Sequence, residues 1–231
     1  MSKFSVLCVS FFTCAVSVAE PILGEAELGF VSTDGNSDTQ TINAKLKLTT
    51  ENQGWAHQAN LTAFNNASGG ATTAEKYTVA VQSDRKLDER SSLYMIATHE
   101  EDHFSGFDYQ TTVGVGYGYK MIDDDERSLT LEAGPGYRMN AVTDGDKQNE
   151  ITLRLAEIYS WKFSETAEFN QHLKVEGGDE NTISNLGASI KSSLTGSLAL
   201  KVGFDIKHTD KVPANRDDTD TETYATVTYS F

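Results

Sequence analysis

The sequence predicts an all-β fold, a single transmembrane barrel of about twelve antiparallel strands spanning residues 20–231. Three observations carry that prediction. Apolar and polar residues alternate with a period of two along most of the chain, the pattern of strands that separate two environments. The connections between these runs fall into two sets that take turns along the chain, one short, the other mostly longer or more acidic. Beyond residue 20 no apolar run is long enough for a membrane-spanning helix, yet the chain carries 11 Phe, 9 Tyr and 18 Gly with only 3 Pro. Barrel strands alternate lipid-facing and lumen-facing residues, so they never look hydrophobic on average.

Residues 1–19 read as a cleaved secretory signal peptide. Lys3 is the positive start, Phe4 to Val16 the apolar centre, and Ser17-Val18-Ala19 the small-residue cleavage site. Both cysteines, Cys8 and Cys14, fall inside it, so the remaining chain has no thiol for a disulfide or a metal. Removing the segment takes away one charge, Lys3, and leaves 18 basic against 34 acidic residues, a net charge of −16. That balance argues against nucleic acid as a partner.

The strands follow in order at roughly 24–33, 39–50, 55–65, 75–84, 92–100, 109–120, 128–139, 150–161, 167–176, 183–192, 197–207 and 222–231. In the second, Ile42, Ala44, Leu46 and Leu48 alternate with Asn43, Lys45 and Lys47. In the sixth, Tyr109, Thr111, Val113, Val115, Tyr117 and Tyr119 oppose Gly114, Gly116 and Gly118. In the eleventh, Leu198, Leu200, Val202, Phe204 and Ile206 share a face. Most runs have the ~9–11 residues that a tilted strand needs to cross a bilayer. The short connections (51–54, 84–90, 122–127, 162–166, 192–196) read as periplasmic turns, and the others (34–38, 65–74, 100–108, 140–150, 177–182, 208–221) as extracellular loops. An even strand count then leaves both termini periplasmic. Trp55, Tyr119, Trp161, Tyr229 and Phe231 belong near the membrane interfaces.

The chain ends on Tyr224-Ala225-Thr226-Val227-Thr228-Tyr229-Ser230-Phe231. With Tyr229 and Phe231 in phase, this strand resembles the terminal signal read by the outer-membrane assembly machinery. The segments GEAELGFVSTDGNSDTQTINAKLKL (24–48), GVGYGY (114–119) and LEAGPGYR (131–138) resemble the salt-induced outer-membrane protein family of Gram-negative bacteria. The resemblance runs through residues 20–231 in order. It implies a barrel in the outer membrane and a part in salt adaptation, and it transfers no catalytic residue.

Two motifs invite an enzymatic reading and fail on geometry. His99-Glu100-Glu101-Asp102-His103 has the H-E-x-x-H spacing of zinc proteases, which places both imidazoles on one metal only when the segment is a helix. Here His99 closes a strand, and in extended chain four residues span ~13 Å. His103-Phe104-Ser105 has the H-x-S order of outer-membrane phospholipases, but it falls after the alternation has ended, with no Asn to orient the imidazole. The chain is therefore read as non-enzymatic, with no cofactor.

The remaining charged residues sort by parity and position. Lys45, Lys47, Lys76, Glu132, Arg138, Arg154, Lys201 and Asp205 fall on the inward face as lumen-lining candidates. Glu100, Glu101, Asp102, Asp217, Asp218 and Asp220 fall at the extracellular rim. There they either keep the loops solvated or bind Ca²⁺ or Mg²⁺, directly or as a bridge to lipopolysaccharide phosphates. Glu157 and Gln171, expected opposite one another on adjacent strands, break the apolar outward pattern. Either a β-bulge turns Glu157 inward, or the two mark a contact with another protein, such as a homo-oligomer seam. Two functional readings follow. One is a narrow channel for ions or small polar solutes, with the row Gly114, Gly116, Gly118 leaving its wall bare. The other is a closed structural or binding barrel whose acidic loops engage cations, lipopolysaccharide or a surface partner.

Overall fold

The computed structural model describes residues 21–33, 39–143, 145–212 and 217–231. The signal segment read at 1–19 lies outside them. The described residues form twelve strands: β1 (Leu23–Thr33), β2 (Thr39–Asn52), β3 (Trp55–Ser68), β4 (Ala71–Lys86), β5 (Ser91–Asp102), β6 (Phe107–Asp123), β7 (Arg127–Val142), β8 (Lys147–Lys162), β9 (Ala167–Gly178), β10 (Thr182–Ser193), β11 (Leu198–Thr209) and β12 (Thr219–Ser230). Each pairs antiparallel with its chain neighbours, and β12 pairs with β1 to close the barrel. The closure ends on the last residue: Phe231 N–H donates to Gly24 O (2.9 Å) and Gly24 N–H to Phe231 O (2.8 Å).

The outer surface is apolar. Val79, Val81, Val113, Val115, Leu153, Leu155, Leu200 and Val202 point outward and are exposed. Tyr77, Tyr109 and Tyr137 rim this band at one end, and Trp55, Tyr119, Trp161 and Tyr229 at the end that carries the termini. Tyr109 and Tyr119 sit ten residues apart on β6. That is roughly 33 Å along the strand and ~24 Å across a layer at a tilt near 45°, the height of a bilayer's hydrocarbon band. The chain is a transmembrane β-barrel.

Strands reach up to four residues past their expected ends. The clearest correction is the segment 65–74, expected as a loop. The β3–β4 ladder continues through it to a two-residue turn at Gly69 and Gly70, both with positive φ (57° and 79°). A tight hairpin turn of that hand suits the twist of the flanking strands. The sorting into short and long connections is correspondingly weaker than the sequence suggests, although 210–218 remains long. At the terminal end Asp88 accepts from the backbone N–H of Arg90 and Ser91, and Asp124 binds the Arg127 side chain and backbone. These bonds hold both carboxyls below the usual range.

Two expectations need correction inside the wall. No register shift interrupts β7–β8 or β8–β9, so no bulge turns Glu157 inward. It stays on the outward row with Leu155 and Tyr159, sits opposite Leu173 rather than Gln171, and accepts a diagonal bond from Gln171 Nε2 (3.3 Å). The glycine row, in turn, is not a bare groove. A Cβ on Gly116 would lie 2.4 Å from both Ala133 O and the Tyr94 hydroxyl, and one on Gly134 2.0 Å from Val115 O. The glycines let β6 and β7 bend toward each other, and Tyr94, 2 % exposed, fills the space they leave.

Gly134→Val forces its side chain into the β6 backbone, and overpacking of this kind costs ~1–3 kcal/mol or more. We expect a smaller folded fraction after refolding into detergent, read as loss of heat-modifiable gel migration. Glu157→Leu removes a charge from the apolar face, and its unfolding free energy in phospholipid should rise by about 1 kcal/mol. A fall would contradict the outward placement.

Candidate functional site

Inward residues of the twelve strands are predominantly polar, and ion pairs join them at several levels. Nearest the rim away from the termini, Arg138 is 1 % exposed. Its Nη1 donates to Asn181 Oδ1 (2.9 Å), its Nη2 to Glu176 O (3.0 Å) and Asn181 O (3.1 Å), and its Nε lies 3.1 Å from Glu150 Oε1. On the opposite side of the barrel, Lys76 Nζ (β4) lies 3.5 Å from Glu222 Oε2 (β12), and Asn43 (β2) also donates to Glu222. Lower, Lys45 Nζ is 3.2 Å from Asp205 Oδ2 and 4.3 Å from the centre of the Tyr224 ring, and His172 sits 3.6 Å from Asp205. On the facing wall Arg154 Nη1 donates to Glu132 Oε2 (2.6 Å), Gln82 Nε2 donates to Glu132 Oε1 (2.9 Å), and the guanidinium lies over Tyr94 (5.1 Å). Lys201 pairs with Glu27 (2.7 Å), and Lys191 with Glu25.

One contact differs from the rest. Lys207 Nζ on β11 donates to Glu100 Oε1 on β5 (2.5 Å) and to Gln110 Oε1 on β6 (2.9 Å). Six strand steps separate β5 from β11 in either direction round the barrel, so these strands are diametrically opposed. Twelve strands ~4.8 Å apart have a perimeter of at least ~58 Å and a circular diameter of at least ~18 Å, more with tilt. An extended Lys and Glu joined by a hydrogen bond reach only about 14 Å between Cα atoms. The cross-section is therefore flattened, with its short axis through Lys207 and Glu100.

A cavity of about 760 Å³ occupies the lumen around this strut. It opens past Asp217, Asp218 and Phe104 and reaches down to Lys45, Arg154 and Asp205. Among its lining residues carboxylates outnumber bases.

Lys45, Lys76, Glu132, Arg138, Arg154, Lys201 and Asp205 all point into the lumen and meet there in pairs. Lys47 points inward near the terminal end, opposite Glu25 and Asn60. The rim acids line one cavity mouth, all but Glu101, without gathering into a metal site among the described residues. Glu100 turns inward to Lys207. Glu101 turns outward, 3.5 Å from His99. Asp102 caps its own turn through the N–H groups of Phe104 and Ser105. Asp218 Oδ1 accepts from Thr219, and Asp220 faces the cavity. Among the described residues no three His, Asp or Glu side chains gather as metal ligands. His99, on β5, has Nδ1 2.7 Å from Thr111 Oγ1, and His103, in the turn, pairs with Glu75 (3.3 Å). Ser105 Oγ donates to Asp102 O (2.9 Å).

Sequence reasoning missed Lys207, Glu100 and Glu222 as lumen residues because it ended their strands or assigned them to the rim. Parity held the signal: Tyr94, Ile96 and Thr98 face inward, so Glu100 follows two residues on.

Glu132 is 6 % exposed and offsets the charge of Arg154, itself 6 % exposed. A buried pair adds little net stability, but deleting one partner strands the other charge. Glu132→Ala should lower unfolding free energy by ~3–5 kcal/mol in urea titrations of the lipid-inserted barrel, whereas the exposed Lys120–Asp123 pair should give under ~1 kcal/mol.

Comparison with known proteins agrees with this architecture. Among solved structures the NanC porin superposes with a TM-score of 0.52 at 11 % identity, over 90 % of this chain and 97 % of NanC. At that identity the likeness is one of fold. The uncharacterized protein YdiY of Escherichia coli K12 is 24 % identical over 217 residues, 93 % of this chain and 85 % of YdiY. Residues 26–231 match the model of a family described as DUF481, protein of unknown function, a description that names no activity and no response to salt. With eleven complete strands and most of β1 inside that match, the chain belongs to the DUF481 family.

Proposed function

We propose that this barrel sits in the outer membrane of a Gram-negative bacterium, with both termini periplasmic. There it passes ions or small polar solutes through a narrow, non-enzymatic channel. The observation that carries the reading is the pairing of an apolar outer band with a charged interior that holds a ~760 Å³ cavity open at one rim. The likeness of fold to the NanC porin supports the location. Tyr229 and Phe231, stacked on the outer surface with centroids 5.9 Å apart, suit recognition by the assembly machinery. Lipid and lipopolysaccharide are the partners of the outer band.

A part in adaptation to salt fits the way the lumen is held. Lys45–Asp205 and Lys76–Glu222 join strands that are not neighbours, and each pair is partly solvated. Screening lengths shrink from about 10 Å at 0.1 M salt to about 3 Å at 1 M. Rising salt therefore weakens these two cross-lumen pairs more than it weakens the buried Lys207–Glu100 strut. A closed structural barrel is the second reading, and the Lys207 strut favours it.

Single-channel recording of the refolded residues 20–231 in a planar bilayer tests the two. For the channel we expect discrete steps whose conductance climbs faster than bulk conductivity between 0.1 and 1 M KCl. A folded, inserted barrel that stays silent across that range excludes the open channel for this chain.

A further inference from the structure

We propose that Lys207 is the selectivity residue of the lumen and that the solutes admitted are small cations. The inference rests on the channel reading above and names the residue and substrate class for it. Lys207 alone makes contact across the full diameter among the ion pairs described. Its ammonium does two things at once: it holds the short axis closed by gripping Glu100 and Gln110, and it cancels the charge of Glu100. The surroundings decide the sign. Asp102, Asp220 and Glu222 face the same cavity, and the other bases that act on Glu100, Lys76 and Lys174, are taken by Glu222 and Glu176. A mobile ion passing the strut therefore meets uncompensated carboxylate, which attracts cations and turns anions back. The flattened section sets the size limit. An ion must pass beside the strut rather than through a round bore, which excludes solutes as bulky as oligosaccharides.

The strut is also placed to be decisive. Both partners are mostly buried, at 15 % and 19 % side-chain exposure, so their fields are less screened than those of rim residues. Gln110 is 8 % exposed, with its Nε2 unpartnered at the cavity wall, and it adds a donor there but no charge. Losing the Lys207 cation leaves Glu100 without its ion-pair partner, held directly by the Thr78 hydroxyl (3.4 Å), with Lys76 and Lys174 acting on it from further off. Losing the Glu100 carboxylate leaves the Lys207 ammonium bonded on the strut to the neutral Gln110 alone.

The test is reversal potential under a tenfold KCl gradient for wild type, Lys207→Met, Glu100→Gln and Lys207→Arg, with folding of each checked by heat-modifiable migration. Wild type should prefer K⁺ to Cl⁻. Lys207→Met should raise that preference several-fold and enlarge the conductance step, Glu100→Gln should shift it toward Cl⁻, and Lys207→Arg should keep the wild-type value. Conducting channels whose reversal potential ignores Lys207→Met and Glu100→Gln overturn the inference and leave the channel reading standing. A silent wild type with a conducting Lys207→Met supports the strut as the closing element and overturns the open channel. Silence from every variant, all folded and inserted, sinks both.

Discussion

A strand edge cannot be left open in hydrocarbon. Each unpaired backbone N–H or C=O there costs several kcal/mol, and no water is at hand to take its bond. Everything in this fold depends on that constraint being met at one seam, where β1 meets β12. The seam is short, with register from Glu25↔Ser230 to Leu28↔Val227, and it is finished by the reciprocal bonds of Gly24 and Phe231. The Phe231 ring lies so close to Gly24 that a Cβ there would meet it at 2.3 Å. A bare backbone at position 24 is thus part of how the last aromatic docks.

Closure then dictates the interior. Strands locked in register send alternate side chains to a common inside, where space is limited and charges of both signs must find partners. They do so mostly with near neighbours, as Arg154 does with Glu132 and Lys201 with Glu27. Such local pairs stiffen a patch of wall. Pairs between distant strands act differently, because they fix the shape of the whole cross-section. The apolar outside and the tied inside are two results of one pleat.

Much of this was legible in the chain before any coordinates. The number of strands, their order and the inward placement of Lys45, Arg138 and Asp205 follow from parity, which survives tertiary context because a one-residue slip would expose an entire face. The ends of strands were less legible. A ladder continues as long as partners are available, and the glycine pair at 69 and 70 supplied a tighter turn than the polar composition of 65–74 suggested. Partnerships across the lumen were not legible at all. Glu100 and Lys207 lie 107 positions apart, and only the bending of the sheet brings them together. The H-E-x-x-H spelling illustrates both limits: its letters promise a metal, while its parity sends His99 outward and Glu100 inward.

The flattened section has a consequence for how such a tube is sized. For a given perimeter, enclosed area is greatest when the outline is round and falls as the outline is squeezed, with no change in the number of strands. The bore here is thus set by the combined length of two side chains and not by the sheet. One methylene more or less on that span, as between Glu and Asp, moves opposing walls by roughly 1.3 Å while leaving every backbone bond in place. A lineage built on this barrel can retune its aperture by point substitution at the strut, without the coordinated change that adding or removing a hairpin would demand.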